Sequence, residues 1–345
     1  MSHFGVSIPM RGLPMRKIPE YARRAEEAGF RSLWAIEVNR SPFTQLAMAA
    51  AVTSRIGLGT AVAQAFPHSP FAMANIVADI DEISEGRAIL GIGPGVPALL
   101  RVLHSDDAQN LVGRMREFID VVRTSWEYQN SEGDVSCEGR HYSFRGSSID
   151  PFRSRSLARP RIPMYLGAMG PQMLRLAGEK ADGVIGALLS PSYIEDHIRP
   201  NLARGAERSN RDPASIEIVS LAICAVSHNR EEAMRRARLQ VGAYLALPSV
   251  TDSVVKFYGL EREQEALRIA LYKSGFAALE ETDDKLVEAF AVAGTPKEVK
   301  GQLKEYQRTN PHIILHAPYM SPLTDEEIED GFRSILDAFA DSGQE

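Results

Sequence analysis

Short apolar runs alternate with amphipathic stretches along most of the chain. Runs such as Phe4–Ile8 and Ile216–Val226 are typical of strands buried in a sheet. Between them apolar residues recur every three or four positions, as in Lys17–Ala28, which is typical of a helix packed on one face. Counting gives eight strands, each followed by a helix, and this order predicts an α/β fold, a parallel, closed TIM (β/α)8 barrel, rather than an open sheet. The strands are predicted at residues 4–8, 32–36, 56–63, 87–91, 163–166, 183–185, 216–226 and 312–316.

Several helix boundaries carry end signals. Ser69 fits an N-cap and Pro70 the first helical position, so a helix is predicted over Phe71–Ile83. Thr295–Glu298 and Thr324–Glu327 each fit a capping box, which predicts that helices begin there.

Two stretches interrupt the alternation. Residues 128–160 are polar and rich in Gly, Ser and Arg, and they predict an excursion with a short hairpin after strand four. Residues 248–290 hold several helical patterns, beginning with Val250–Tyr258, between strands seven and eight. Neither stretch carries enough apolar residues for a core of its own. We therefore expect one barrel domain over residues 1–345 with two insertions.

Composition narrows the possible function classes. The 345 residues include 45 acidic and 39 basic ones, and a net charge of −6 without a basic block disfavours nucleic acid or an anionic membrane as partner. The two cysteines, Cys137 and Cys224, cannot build a disulfide framework or a Cys-based zinc site. No apolar run approaches the ~20 residues that span a bilayer, and the first residues lack the features of a signal peptide. We expect a cytoplasmic protein.

Two glycine-rich segments follow predicted strands. Gly91–Gly95 follows strand four, but Val96 stands where a dinucleotide fingerprint has its third glycine, so the segment is either a tight turn or a close approach to a flat ligand. Gly167–Pro171 joins a strand to a helix, where backbone N–H groups and the helix dipole favour a phosphate; the alternative is an ordinary loop. One face of strand three carries only small residues, at positions 57, 59, 61 and 63. This face either packs against a helix or receives a planar ring.

Few ionisable residues are placed to do chemistry. Glu37 ends strand two, where side chains project into the barrel mouth and a buried carboxylate can act as an acid or base. The alternatives are a solvated loop carboxylate or a salt bridge with Arg11 or Arg40. His316, near the catalytic end of the last strand, is a candidate for proton transfer or substrate contact, with a hydrogen-bonded polar residue as the alternative. His68 precedes a helix N-terminus, where a neutral imidazole can bind a ligand.

No metal site is expected. His312 and His316 share a strand face, but a rise of ~3.3 Å per residue separates them by roughly 13 Å. The motifs HExxH, GxSxG and GxxxxGK[ST] do not occur, which excludes zincins, α/β-hydrolases and P-loop enzymes in their usual forms.

Three segments carry signals of one enzyme family. Ala74–Gly95 matches the core signature of this family, Ile162–Gly183 matches its phosphate-loop segment, and Phe290–Glu298 matches its late helix. Together they resemble the luciferase-like flavin and deazaflavin oxidoreductases. The likeness runs from about Phe4 to Ala338 in the same order. Within the family it is greatest to methylenetetrahydromethanopterin reductase-like enzymes, which use coenzyme F420.

The resemblance implies a barrel that binds F420 at its C-terminal mouth, with FMN as the alternative cofactor. The ring would lie against strand three, where relatives carry a non-prolyl cis peptide, here placed at Ala61–Val62. Hydride would pass between the deazaflavin and a small-molecule substrate, while the protein supplies position and electrostatics. By position, the implied cofactor-binding residues are Ala61, Val62, Gln64, Gly93, Gly95, Gly167, Ala168, Met169 and Gly170.

The chain departs from the family at two places. Many F420-dependent relatives place Asp-His at the end of strand two, where Glu37 and Val38 stand here. Proton transfer by that histidine is thus excluded, and Glu37 becomes the predicted acid or base, with His68 or His316 contacting the substrate. The segment Gln64–His68 differs from the Asn-Pro-Tyr-x-Arg more usual in the reductases, which weighs against methanopterin as the substrate.

The predicted function is an F420-dependent oxidoreductase. An FMN-dependent monooxygenase of the same fold and a non-catalytic flavin-binding barrel are the alternatives. Relatives commonly form dimers or tetramers through early barrel helices. The resemblance therefore implies a homodimer or homotetramer, packed through Leu46–Val52 and Phe71–Ile83.

Overall fold

Eight parallel strands form a closed barrel in the computed structural model, which describes residues 4–153, 157–247, 251–309 and 312–340. Each strand pairs with the next along the chain, and the last pairs with the first. The predicted TIM barrel is confirmed. The barrel strands are β1 (Phe4–Ser7), β2 (Ser32–Ala35), β3 (Gly57–Thr60), β4 (Ala88–Gly93), β5 (Met164–Gly167), β6 (Gly183–Ala187), β7 (Glu217–Val226) and β8 (His312–His316).

Inward-pointing side chains fill the centre of the barrel. Trp34, Tyr165 and Ile314 belong to one buried cluster there, and a larger apolar cluster lies between the strands and the outer helices. A Cβ built on Gly59 would lie 2.3 Å from the Trp34 ring. A planar ring therefore does lie on the small-residue face of β3, but at this position it is the indole of the protein itself.

Strand three ends earlier than the pattern predicts. The prediction covers residues 56–63, but β3 ends at Thr60, and Ala63–Gln64 form a separate short strand. This short strand pairs with Ile92 and Gly93 at the end of β4. The peptide bond between Ala61 and Val62 is cis, at the position that the resemblance implied.

The first insertion holds the predicted hairpin. Its strands, Val135–Cys137 and Phe144–Gly146, pair in antiparallel orientation. The helix before it, Leu111–Asn130, includes the first residues that the sequence assigned to the insertion. Residues 154–156 of the predicted insertion lie outside the described ranges.

The second insertion is helical, as its pattern predicts. Asp252–Tyr258, Glu261–Ser274 and Asp284–Phe290 form its α-helices, while the predicted start at Val250 lies outside the described residues. The strand Ala291–Gly294 is missing from the prediction. It pairs in parallel with the end of β7, and a strand of four residues directly after a helix is too short to show its own period.

The predicted helix ends are confirmed where caps form. Ser69 Oγ accepts the Ala72 N–H at 3.1 Å. In the Thr295–Glu298 and Thr324–Glu327 boxes, each glutamate accepts the threonine N–H. Among the residues that the structure describes, no helix is long and apolar enough to cross a membrane. The other α-helices of eight or more residues are Ile18–Glu27, Pro42–Ala50, Pro70–Ile83, Pro97–His104, Pro171–Lys180, Arg199–Glu207, Arg230–Ala246, Pro296–Thr309 and Asp325–Ala340.

Candidate functional site

The carboxyl ends of the parallel strands meet at one mouth of the barrel, which is the active-site face of this fold. Glu37 follows β2, and the segment Ala61–Gln64 follows β3. Gly93 ends β4 and Gly167 ends β5. Residues that the sequence nominates separately on four strands therefore lie at one end of the barrel.

Glu37 and His68 form a hydrogen-bonded pair at this mouth. Nε2 of His68 lies 2.8 Å from Oε1 of Glu37, and the two side chains are 25% and 14% exposed. The other carboxylate oxygen accepts the backbone N–H of Gln64 at 2.7 Å. The Phe43 ring meets the imidazole edge-on, with the centroids 5.7 Å apart. A largely buried carboxylate held against an imidazole can store or pass on a proton.

The two arginines weighed as partners of Glu37 bind elsewhere. Arg11 pairs with Asp325, and Arg40 donates to the carbonyl of Leu13 at 2.5 Å. The interpretation of Glu37 as a salt-bridge partner of either arginine is therefore wrong.

Val62 lies between two glycines. A Cβ built on Gly93 would lie 3.0 Å from Cγ2 of Val62, and a Cβ built on Gly167 would lie 3.2 Å from its Cγ1. A side chain at either position would press on Val62, so the two glycines keep bare backbone on both sides of the Val62 side chain. We call this arrangement of Val62, Gly93 and Gly167 the glycine slot.

Gln64 presents a buried oxygen without a partner. Among the described residues nothing donates to its Oε1, while its Nε2 donates to the Glu37 carbonyl at 3.3 Å. Gly95 has a φ of +85°, and a Cβ there would lie 2.8 Å from that oxygen. A buried acceptor without a donor costs free energy. Gln64 Oε1 therefore needs an N–H or O–H donor that the described residues do not supply.

The Gly167–Gly170 loop leads from β5 into the helix Pro171–Lys180. The Ala168 N–H donates to a carbonyl of β6 at 3.1 Å, and the Tyr193 hydroxyl donates to the Met169 carbonyl at 3.0 Å, which fixes the loop. No side chain caps the helix start. The N–H groups of its first turn can therefore receive an anionic group such as phosphate.

His316 lies apart from the Glu37–His68 pair, at the end of β8. It is fully buried, with Nδ1 2.6 Å from Ser7 Oγ and Nε2 3.4 Å from Tyr244 Oη. Burial lowers the pKa of His316 to about 4, so the imidazole is neutral at pH 7. The catalytic candidates Glu37 and His68 thus form one group, and His316 belongs to another. Sequence reasoning missed Tyr244, because a tyrosine within a largely buried helix carries no local signal of a site.

Another polar group fills the opposite end of the barrel. His312 Nδ1 lies 2.8 Å from Glu217 Oε1, and the Tyr165 hydroxyl donates to the same carboxylate. Burial alone would raise the pKa of Glu217, but the hydrogen bonds from His312 and Tyr165 outweigh this effect and lower the pKa to about 2. Sequence reasoning missed Glu217. The sequence signal for Glu217 was an acidic residue at the start of a largely apolar strand.

The chain is similar in sequence to known oxidoreductases over most of its length. Residues 2–312 match the model of the luciferase-like monooxygenase family. The 5,10-methylenetetrahydromethanopterin reductase of Methanolobus tindarius is 30% identical over 297 residues, which cover 85% of this chain and 87% of that protein. The enzyme of the same name from Methanopyrus kandleri is 28% identical over 327 residues, 91% of this chain and 92% of that protein.

A solved structure shows the same architecture over nearly the whole chain. The coenzyme F420 dependent tetrahydromethanopterin reductase from Methanopyrus kandleri superposes with a TM-score of 0.78 at 25% identity. The match covers 97% of this chain and 99% of that one.

Proposed function

The chain belongs to the luciferase-like monooxygenase family, and we propose that it is an oxidoreductase of this class that depends on coenzyme F420. The reaction is hydride transfer between the deazaflavin and an organic small-molecule substrate. The similarity to the coenzyme F420 dependent reductase from Methanopyrus kandleri supports the coenzyme. The observation that carries the proposal is the glycine slot at the mouth, with the unpartnered oxygen of Gln64 beside it.

The residues of the mouth fit such a coenzyme. The ring would lie against Val62 and the bare backbone of Gly93 and Gly167. Gln64 Oε1 would accept a hydrogen bond from an N–H on the polar edge of the ring. The phosphate-bearing side chain would meet the loop Gly167–Gly170. When bound, the coenzyme supplies the hydride chemistry, and the chain supplies position and shape.

Glu37 is the acid or base in this proposal, with His68 as its partner. Val38 stands where many F420-dependent relatives have a histidine, but His68 brings an imidazole to the same carboxylate from the segment after β3. A proton on Glu37 Oε1 would be shared with His68 Nε2 across 2.8 Å. The pair would hold the proton that accompanies the hydride.

We also propose that the protein is a homodimer or homotetramer of the cytoplasm. The helix Pro70–Ile83 supports the assembly, because its Phe71 and Ile83 side chains are 44% and 51% exposed. Exposed apolar side chains on one helix are suited to an interface between copies. Light scattering at micromolar concentration tests it, and a monomer would contradict it.

Fluorescence titration of the purified protein with F420, and separately with FMN, tests the coenzyme. We expect F420 to bind at least about tenfold more tightly, which corresponds to ~1.4 kcal/mol. Tight binding of FMN without binding of F420 would contradict the proposal and favour an FMN-dependent monooxygenase. Binding of F420 without turnover of a broad substrate panel would favour a non-catalytic barrel.

A further inference from the structure

Ser7 and His316 bring polar side chains to the mouth beside β1 and β8. They are the last residues of these neighbouring strands and lie opposite each other in register. A Cβ on Gly5, two positions before Ser7, would meet Trp34 at 2.7 Å, and the ring of His312, four positions before His316, lies 5.8 Å from the Trp34 ring. Since side chains alternate along a strand, Ser7 and His316 also point into the barrel, at its carboxyl end.

Two tyrosines complete this cluster. Tyr244, near the end of the helix Arg230–Ala246, places its hydroxyl 3.4 Å from His316 Nε2 and 3.2 Å from the Tyr319 hydroxyl. Ser7 and His316 are fully buried and Tyr319 is 7% exposed, whereas Tyr244 is only partly buried. Tyr244 is therefore the member of the cluster that keeps some exposed surface.

The cluster has surplus hydrogen-bond donors and no charge. Gln240 Oε1 accepts the Tyr319 N–H at 2.9 Å, while the buried Gln240 Nε2 has no acceptor among the described residues. His316 is neutral, and no carboxylate is among the hydrogen-bond partners described for the cluster. In the tautomer in which Ser7 donates to Nδ1 of His316, the Nε2–H group donates to Tyr244, so one phenol proton and the Gln240 amide group are left without an acceptor in the cluster. A carbonyl oxygen supplies one, and donors fixed in advance stabilise the negative charge that grows on it during hydride transfer.

We propose that Tyr244 is a catalytic residue that donates a hydrogen bond to a carbonyl oxygen of the substrate, so that the substrate is a carbonyl compound or the corresponding alcohol. The inference rests on the proposed function for its hydride. In reduction the carbonyl carbon gains the hydride of the reduced coenzyme, and the oxygen gains the Tyr244 Oη proton. The tyrosinate regains a proton from water when the product leaves. The Glu37–His68 pair takes up the proton that the coenzyme ring gives up.

The test is a binding measurement by 19F NMR on protein loaded with oxidised F420, which cannot reduce the probe. The two probes are 4,4-difluorocyclohexanone and 1,1-difluorocyclohexane, which differ in the carbonyl group. We expect the wild type to bind the ketone at least about tenfold more tightly, the effect of one good hydrogen bond. Tyr244→Phe is expected to reduce this preference to about twofold or less. Tyr319→Phe is expected to reduce it in part, without changing the affinity for the hydrocarbon.

The control variant is Tyr272→Phe, since Tyr272 is 92% exposed on the insertion helix Glu261–Ser274. It is expected to keep the full ketone preference. Equal binding of both probes by the wild type overturns the inference, as does an unchanged preference in Tyr244→Phe. F420 titration of the same samples separates the two proposals. A wild type that does not bind F420 overturns the proposed function, whereas normal F420 binding without a ketone preference overturns only the role of Tyr244.

Discussion

Nε2 of His68 lies 2.8 Å from Oε1 of Glu37, although 31 positions separate the two residues in the chain. The contact forms because β2 and β3 are neighbours in the barrel, so the segments that follow them meet at the mouth. Glu37 also accepts the N–H of Gln64, two residues after Val62. The Glu37–His68 pair and the glycine slot are therefore adjacent at the mouth, where we propose that the coenzyme binds.

Gly167→Val is expected to weaken F420 binding by at least about tenfold, or ~1.4 kcal/mol. A Cβ at this position would already lie 3.2 Å from Val62 Cγ1, and the further methyl groups of valine would enter the glycine slot. Fluorescence titration measures the change. Gly133→Val, in an exposed turn of the first insertion, is the matched control and is expected to bind as the wild type does. Equal affinities of the two variants would place the ring elsewhere.

Glu37→Gln is expected to slow turnover by about 100-fold, the usual contribution of a general acid or base. F420 affinity should change by less than about threefold, because glutamine keeps a side-chain oxygen for the Gln64 N–H. The rate is followed as the oxidation of reduced F420 by the most reactive member of a carbonyl panel. Glu263→Gln, at an exposed position of the insertion, is the control. If both variants turn over at the wild-type rate, Glu37 is not the acid or base.

The free energy of unfolding is expected to fall as the pH drops from about 6.5 to about 4. Burial lowers the pKa of His316 to about 4, so in this window the unfolded chain binds the proton and the folded chain does not. The loss is at most roughly 3.5 kcal/mol. Urea unfolding at several pH values measures it. In His316→Gln the slope in this window should be reduced, and an unchanged slope would show that His316 does not cause it.

A second loss of stability is expected below about pH 4.5. Hydrogen bonds hold the pKa of Glu217 at about 2, below its ordinary value of 4.5, so its contribution is complete above 4.5 and disappears as the pH falls toward 2. Glu217→Gln should lower the stability at pH 7 by roughly 2 kcal/mol and reduce the slope in this acid window. Calorimetric melting at pH 7 and between pH 5 and pH 2.5 measures both. A variant as stable as the wild type at pH 7 would contradict this role.

Most of the fold was predictable from the sequence because barrel strands are covered on both faces. Such strands are apolar runs, as in β7, which is predicted over 216–226 and observed at Glu217–Val226. The prediction failed where tertiary pairing decides the structure. The break after Thr60 and the added strand Ala291–Gly294 depend on neighbouring strands, which no local pattern shows.

The candidate site was predictable one residue at a time but not as an arrangement. Glycines after strands and a carboxylate at a strand end are local signals, and the resemblance assigned them to one ligand. The pairing of Glu37 with His68 depends on the order of strands around the barrel. The contact of His316 with Tyr244 spans 72 positions and two elements, and neither residue type in isolation indicates it.

The most direct test of the proposed coenzyme site is a crystal structure of the protein with F420 bound. We expect a deazaflavin ring in van der Waals contact with Val62, lying over the backbone of Gly93 and Gly167. We also expect Gln64 Oε1 to accept a hydrogen bond from a ring N–H, and the phosphate to lie at the start of the helix Pro171–Lys180. A ring bound away from the glycine slot, with Gln64 Oε1 still unpartnered, would contradict this placement of the coenzyme.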